Sequence, residues 1–483
     1  MNYKLMLRVL GRTLLLESAV MLLPLLVSLY YGESPMPFVY AILVISALGL
    51  PLAFLVRPEK QFFAQEGFVL AGGMWLLFCL FGALPFYFSG YFGGYIDAFF
   101  EAASGFTTTG SSILTNVELL PRGILFWRSF TSWLGGMGVL VFTLAFLPSM
   151  GARTHNLLRA EATGPVASKL VPKTAQSSQI LYTIYIALTG TEVLSLHLAG
   201  MPWFDAWVHT FATVCTGGLS IKNTSIGAYG SPAIEAIVLI FMILSSINFA
   251  VFFLVLTRRL RGVLRSDEFW AFLGILGAAA GLVFLNLTLT SAADGQDSLS
   301  TLRHSLFQTA SVMSTTGFST VDFNLWPEFS KIVLILLTFI GGCAGSTSGG
   351  LKVARLLLLL RCIRRDVKKI SHPRSVKVVT LEGKVVEEST LRRVSTFFFV
   401  YVLTVALTCL VISLDGFSFT TTVTAALASV SNVGPGLDMV GPMGNFSAFS
   451  GLSKAALALC MIIGRLEIFP ILLLFSTSTW KRS

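Results

Sequence analysis

Charge is what this sequence has least of. Of its 483 residues only 12% are Asp, Glu, Lys or Arg, about half the roughly 25% found in an ordinary soluble domain. Too few charges are present to cover a water-soluble surface of this size. With 54% apolar residues and a mean hydropathy of +0.78, a soluble enzyme, a DNA-binding protein and a disordered scaffold are all excluded. The six cysteines (Cys79, Cys215, Cys343, Cys362, Cys409 and Cys460) form no CxxC pair and have no histidine at metal-ligand spacing. They read as structural thiols in or beside apolar segments. Neither a GxGxxG fingerprint nor a GxxxxGK[ST] phosphate loop occurs, so no nucleotide site is expected in this chain.

What the sequence has instead is long apolar runs. A spanning helix needs about 20 apolar residues to cross a hydrocarbon layer about 30 Å thick. Such stretches fall near 10–30, 38–56, 68–90, 125–148, 180–200, 233–256, 269–290, 330–360, 394–414 and 452–476. The first is too long, and too quickly followed by the second, to be a cleaved signal, and it is expected to be retained. The net charge of +10 is unevenly spread: 27 of the 34 Lys and Arg lie in clusters at 4–12, 57–60, 153–173, 258–265, 352–393 and 481–482. Basic clusters stay cytoplasmic. Spans taken in pairs put every cluster on one side, with both termini cytoplasmic, so the charge reads as orientation and no nucleic-acid partner is expected.

Between the members of pairs two to five lies a shorter semi-apolar stretch followed by a Gly/Thr/Ser run. The runs are Thr107–Ser112, Cys215–Ser220, Ser314–Ser319 and Ser431–Gly436. Aligned on Gly110, Gly218, Gly317 and Gly434, they share a small residue six positions earlier (Ser104, Ala212, Ser311, Ala428), and the first two share Asp-Ala thirteen earlier (Asp97, Asp205). A repeat at this period means four structural units. The stretches Tyr95–Phe106, Trp203–Val214, Leu302–Met313 and Thr420–Val430 are too short to span and read as re-entrant half-helices. The expected architecture is an all-α membrane protein: a leading hairpin (1–60) and four span–pore-helix–span repeats (61–175, 176–266, 267–390, 391–483) in pseudo-fourfold array about one pore.

Irregular backbone at membrane depth is tolerated only where it is buried in protein or lines a wet cavity. Four such loops on one axis can replace an ion's hydration shell with carbonyl oxygens. Glycine reaches left-handed angles without strain, which lets successive carbonyls aim the same way. No carboxylate falls in the four runs, which favours a large monovalent cation over Mg²⁺ or Ca²⁺.

The eighth stretch is interrupted at Gly341-Gly342-Cys343-Ala344-Gly345-Ser346-Thr347-Ser348-Gly349-Gly350. Five glycines in ten residues cannot hold a stable helix, each costing about 1 kcal/mol relative to Ala. A mobile intramembrane loop that obstructs the pore, a passive packing kink and a phosphate cradle are the three readings, with Lys352 and Arg355 anchoring its cytoplasmic end. Arg465, near the centre of the last stretch, either pairs locally with Glu467 or a neighbouring helix, or forms a cationic barrier below the filter. His209 and His304, with Glu101 at the place matching His209, read as pore-helix groups that hydrogen-bond the filter backbone.

Together these motifs resemble the Trk/Ktr/HKT superfamily of potassium transporters, in particular its bacterial TrkH/TrkG branch, over nearly the whole chain. The resemblance implies potassium held by loop oxygens at Thr108, Thr109 and Gly110, Thr216, Gly217 and Gly218, Thr315, Thr316 and Gly317, and Asn432, Val433 and Gly434. It implies a gate formed by Gly345, Ser346, Thr347, Ser348, Gly349 and Arg465. It further implies a homodimer in the bacterial inner membrane, contacting lipid, and a cytosolic nucleotide-binding regulatory subunit of the TrkA type. In plant members a serine at the first filter glycine goes with sodium; Gly110 favours potassium here. The fourth loop departs most, at Asn432 and Pro435. A sodium-coupled or sodium-permeable transporter of the same fold, a Ser/His membrane hydrolase and a non-transporting receptor are the competing readings.

Overall fold

The computed structural model describes residues 3–55, 64–138, 174–258, 260–290, 297–374 and 377–468. The leading hairpin is α1 (Tyr3–Val20), continued by α2 (Leu22–Tyr30), packed along α3 (Met36–Phe54). The first repeat follows as α4 (Ala64–Gly82) with α5 (Leu84–Ser89), the short α6 (Tyr95–Phe106) and α7 (Arg122–Gly136). The second is α8 (Thr174–Leu198), the short α9 (Trp203–Val214), and α10 (Pro232–Ser246) with α11 (Phe249–Leu256). After α12 (Leu260–Leu264), the third comprises α13 (Asp267–Leu289), α14 (Ser298–Met313) and α15 (Glu328–Ile340), resuming beyond its break as α16 (Val353–Ser371). A two-stranded antiparallel hairpin, β1 (Thr380–Leu381) and β2 (Lys384–Val385), leads to the fourth: α17 (Glu388–Ile412), α18 (Phe419–Ser431) and α19 (Gly451–Arg465).

The short helices are the four half-helices expected from sequence. α6 and α9 have the expected bounds, α14 starts four residues earlier and α18 gains one residue at each end. The second long helix of each repeat packs on the short helix of the next: α7 on α9, α10 on α14, α15 on α18, and α19 back on α6. That cyclic pattern closes four units about one axis. Small residues permit the approach. A Cβ at Gly135 of α7 would overlap the Phe106 carbonyl, and one at Gly464 of α19 the Val430 carbonyl; both carbonyls lie four residues before a repeat glycine.

The outward faces are apolar. On α17, Phe399, Leu403, Leu407 and Leu410 are exposed at helical spacing, while Leu391, Val394, Phe397 and Tyr401 are buried against the bundle. An apolar exposed face with an interior containing Thr, Ser and Glu fits a lipid surround.

One expectation needs correction. The stretch 233–256 is not one straight span: α10 and α11 meet at 94°. Ile247 is extended and the Asn248 side chain accepts from the Ala250 amide at 2.9 Å, capping α11. Among the described residues six helices are long and apolar enough to span, or seven counting the bent pair. α15 stops at its break, and the expected continuations 139–148 of α7 and 469–476 of α19 lie outside the described residues, as do the basic clusters at 57–60, 153–173 and 481–482.

Candidate cation pathway

Each short helix ends in the same way. The residue two before the repeat glycine takes a left-handed conformation: Thr108 (φ 55°), Thr216 (56°), Thr315 (60°) and Asn432 (55°). The next amide reaches back to the carbonyl six before the glycine: Thr109 to Ser104 at 2.9 Å, Gly217 to Ala212 at 2.8 Å, Thr316 to Ser311 at 2.9 Å and Val433 to Ala428 at 2.9 Å. This is a Schellman-type helix end, whose left-handed position is usually glycine. A β-branched residue with positive φ is uncommon, and a left-handed conformation costs an L-residue about 1–2 kcal/mol. Three threonines held there mark strain of the kind that clusters at functional sites.

The glycines are left-handed again: Gly110 (φ 84°), Gly218 (62°), Gly317 (83°) and Gly434 (97°). A Cβ on Gly110 would overlap the Gly217 carbonyl oxygen, one on Gly218 that of Thr316, one on Gly317 that of Val433, and one on Gly434 that of Thr109. Each repeat's glycine therefore seats the carbonyl of the next repeat in the same rotational sense, and the fourth returns to the first. All four glycines line one cavity of about 120 Å³, with Ser111, Ser220 and Ser319 among its walls. The fourth loop, the most divergent in sequence, has the same backbone. The Asn432 amide group donates to Thr109 Oγ1 and to the Met461 carbonyl, both at 2.9 Å. Thr108 Oγ1 and Asn432 Oδ1 are buried without a hydrogen-bond partner.

Behind the loops, the pore-helix groups bond filter-exit backbone and hydroxyls. Glu101 accepts from Ser112 Oγ at 3.0 Å and from the Ile113 amide at 3.1 Å. His209 Nε2 lies 3.0 Å from Ser220 Oγ, and His304 Nδ1 lies 2.9 Å from Thr320 Oγ1. In the third repeat Gln308, which matches Glu101 and His209 in position, donates to the Val321 carbonyl at 3.3 Å. In the fourth, Thr424 accepts from the Leu437 amide at 3.0 Å. Sequence reasoning missed Arg128. Its Nε lies 2.5 Å from Glu101 Oε1 and its Nη1 donates to the Ser220 carbonyl at 2.7 Å, both side chains fully or nearly fully buried. The signal was available: an isolated arginine in an apolar stretch demands a partner, and Glu101 was the matching charge.

The glycine-rich interruption lies against the inner ends of these loops. The Gly349 amide donates to Thr315 Oγ1 at 2.7 Å. A Cβ at Gly349 would overlap the Ser431 carbonyl. The Thr347 hydroxyl is 3.1 Å from the carbonyl oxygens of both Val214 and Ser245. The bend between α10 and α11 receives the loop: the Cys343 amide donates to the Ser246 carbonyl and the Phe249 amide to the Gly345 carbonyl, each at 3.0 Å. Arg465 ties three pieces together. Its Nη1 donates to the Thr347 carbonyl at 2.6 Å, and its Nη2 to the carbonyls of Gly135 and Gly136 at 2.9 Å. Pairing with Glu467 fails, since Glu467 forms its ion pair with Arg355; the contact with a neighbouring helix, α7, is the one made. Lys352 and Arg355 are both buried. Lys352 donates to the Ser348 carbonyl, and the Arg355 guanidinium stacks 4.0 Å from the Phe397 ring.

A multi-helix membrane fold with four interlocked re-entrant loops around a cavity defines a cation-transport protein rather than an enzyme. The family model described as "TrkH: Cation transport protein" matches residues 35–482, and this chain belongs to that family. It is 37% identical to the Trk system potassium uptake protein TrkH of Escherichia coli strain K12, over 100% of both chains, and 33% identical to TrkG of that strain, over 96% of each. The crystal structure of the potassium transporter TrkH from Vibrio parahaemolyticus superposes with a TM-score of 0.88 at 33% identity, covering 100% of both chains.

Proposed function

We propose that this chain takes up potassium through the pore enclosed by its four loops. The filter comprises Thr108, Thr109 and Gly110, Thr216, Gly217 and Gly218, Thr315, Thr316 and Gly317, and Asn432, Val433 and Gly434. The supporting observation is the ring itself: four left-handed residues, four left-handed glycines and four seated carbonyls in one rotational order. Neutral oxygens fixed in this way replace the water of a weakly hydrated monovalent ion. Gly345–Gly349 and Arg465 form the gate, latched to the filter by the Thr315–Gly349 bond. A membrane potential supplies about 2.3 kcal/mol per charge per 100 mV, sufficient for concentrative uptake. The chain works as a homodimer in the inner membrane, both termini cytoplasmic, under a cytosolic nucleotide-binding regulatory subunit that docks on the cytoplasmic loops. The relatives' names, as parts of a Trk system, support the presence of a further component.

Ion flux into proteoliposomes with Gly110→Ser tests the filter. A side chain there is strained at φ 84° and meets the Gly217 carbonyl. Potassium-over-sodium discrimination is expected to fall severalfold. An unchanged ratio with normal flux would remove Gly110 and its loop from the selectivity site.

A further inference from the structure

The glycine-rich interruption is closed at its neck. The Leu351 amide donates to the Phe339 carbonyl at 3.3 Å, Lys352 to Ile340 at 2.9 Å and Val353 to Gly342 at 3.0 Å. The loop so closed carries five glycines, Gly341, Gly342, Gly345, Gly349 and Gly350. Its place is therefore set by what holds it rather than by its own backbone preference. Arg465 and Thr315 hold it at Thr347 and Gly349. Its other flank is held from α13.

Glu268, in the first turn of α13, is only 7% exposed. Its Oε1 accepts two backbone amides, Ala344 inside the loop at 2.6 Å and Ala354 just beyond it at 3.1 Å. Ala354 is the second residue of α16, so the carboxylate also meets the positive end of that helix. A carboxylate that merely capped α16 would need only the Ala354 amide; the shorter bond goes to Ala344. The nearby cations are engaged elsewhere: Lys352 with the Ser348 carbonyl, Arg355 with Glu467 and Arg361 with Asp267. Amide bonds to an ionised acceptor are roughly twice as strong as neutral ones, so this side chain is a firmer tie than the neutral Thr315–Gly349 bond.

Glu268 is in turn held by the β1–β2 hairpin. Glu382, at the turn of that hairpin, accepts from the Glu268 amide at 3.3 Å and from Ser266 Oγ at 3.0 Å, and its own amide donates to Asp267 at 3.2 Å. Asp267 also pairs with Arg361 of α16 at 3.0 Å, and Arg361 donates to the Thr380 carbonyl. The hairpin, the start of α13 and α16 thus close on one another beside the carboxylate that grips the loop. Adjacency of this kind amounts to coupling only where changing one member alters the effect of changing the other.

We propose that Glu268 is a positioning residue of the gate, fixing the glycine-rich loop in its obstructing place, and that the β1–β2 hairpin sets Glu268 through Glu382. The inference rests on the reading of that loop as the gate. Rubidium and sodium flux per folded molecule is measured in proteoliposomes holding only this chain, with Arg465→Ala as the reference for a released loop. Glu268→Ala, which removes the acceptor, is expected to raise rubidium flux by about tenfold. The rubidium-to-sodium ratio should stay unchanged, because the filter is untouched. Glu268→Gln keeps an oxygen for both amides without the charge and should raise flux less. Glu382→Ala, at an exposed position, should raise it severalfold alone and add nothing in the Glu268→Ala background, where the residue it acts through is gone. A rise in Arg465→Ala without one in Glu268→Ala would overturn the assignment and leave the gate standing. Unchanged flux in both would overturn the gate and this inference with it. Equal rubidium and sodium leak in Glu268→Ala would mean a loosened fold rather than a released loop, and a Gln variant as open as the Ala variant would take the effect away from the two amide bonds; either result overturns the assignment. Should Glu268→Ala not fold, Glu268→Gln decides alone: a selective rise supports the assignment and unchanged flux overturns it. Full additivity of Glu268→Ala and Glu382→Ala would remove the hairpin from the proposal.

Discussion

At the scale of single residues, the most consequential group is one the filter loops do not contain. Arg128 and Glu101 form a buried ion pair that holds the exits of the first two loops through Ser112, Ile113 and Ser220. Removing one partner of such a pair leaves an uncompensated charge and costs about 3–5 kcal/mol, whereas replacing both can be near neutral. Glu101→Gln is therefore expected to lower the thermal unfolding midpoint markedly, and adding Arg128→Met should recover part of the loss. A thermal melt in detergent measures both. Equal loss in the single and double variants would show that the pair's packing matters more than its charge. The four left-handed residues teach a related lesson. Thr108, Thr216 and Thr315 were legible as hydroxyl-bearing loop residues, and Asn432 as the outlier. Their common conformation was not legible, because threonine has no intrinsic preference for positive φ. Asparagine, the apparent departure, is the residue that adopts it most readily.

At the scale of elements, the interrupted third repeat acts with its neighbours. The loop between α15 and α16 sits in the bend between α10 and α11, and Arg465 of α19 fastens it to the end of α7. Hydrogen bonds from a charged donor contribute about 1.5–3 kcal/mol each, and every 1.4 kcal/mol is about tenfold in an equilibrium. Arg465→Ala is expected to raise rubidium flux in the absence of any regulatory partner by about tenfold or more. Thr315→Val, which removes the acceptor of a neutral bond worth about 1 kcal/mol, should raise it less. Flux unchanged in both variants would deprive the loop of its role as the obstruction. The glycine run itself announced a break in sequence. The 94° bend that receives it did not, since 233–256 is an apolar run with little polar interruption near the bend beyond Ser245, Ser246 and Asn248.

At the scale of the whole molecule, the cyclic packing of each repeat's second long helix on the next short helix makes one enclosure from four similar units. The orientation drawn from the basic clusters has a direct check. Lys384→Cys, in the β1–β2 hairpin, should react with an impermeant maleimide only from the cytoplasmic side, and Ser447→Cys, before α19, only from outside; both positions are exposed. Reversed labelling would invert the topology and with it the direction of the pore.

The sequence by itself determined the solvent, the number of repeats and the place of each loop. Those follow from hydrophobic run length, charge placement and periodic glycines, all of which are local quantities. The tertiary structure alone decided which carbonyl each glycine seats, that Glu101 meets Arg128, and that Arg465 reaches Thr347 and Gly135 rather than Glu467. Each of these joins residues distant in the chain, and such contacts depend on how four units close around an axis, which no single stretch of sequence encodes.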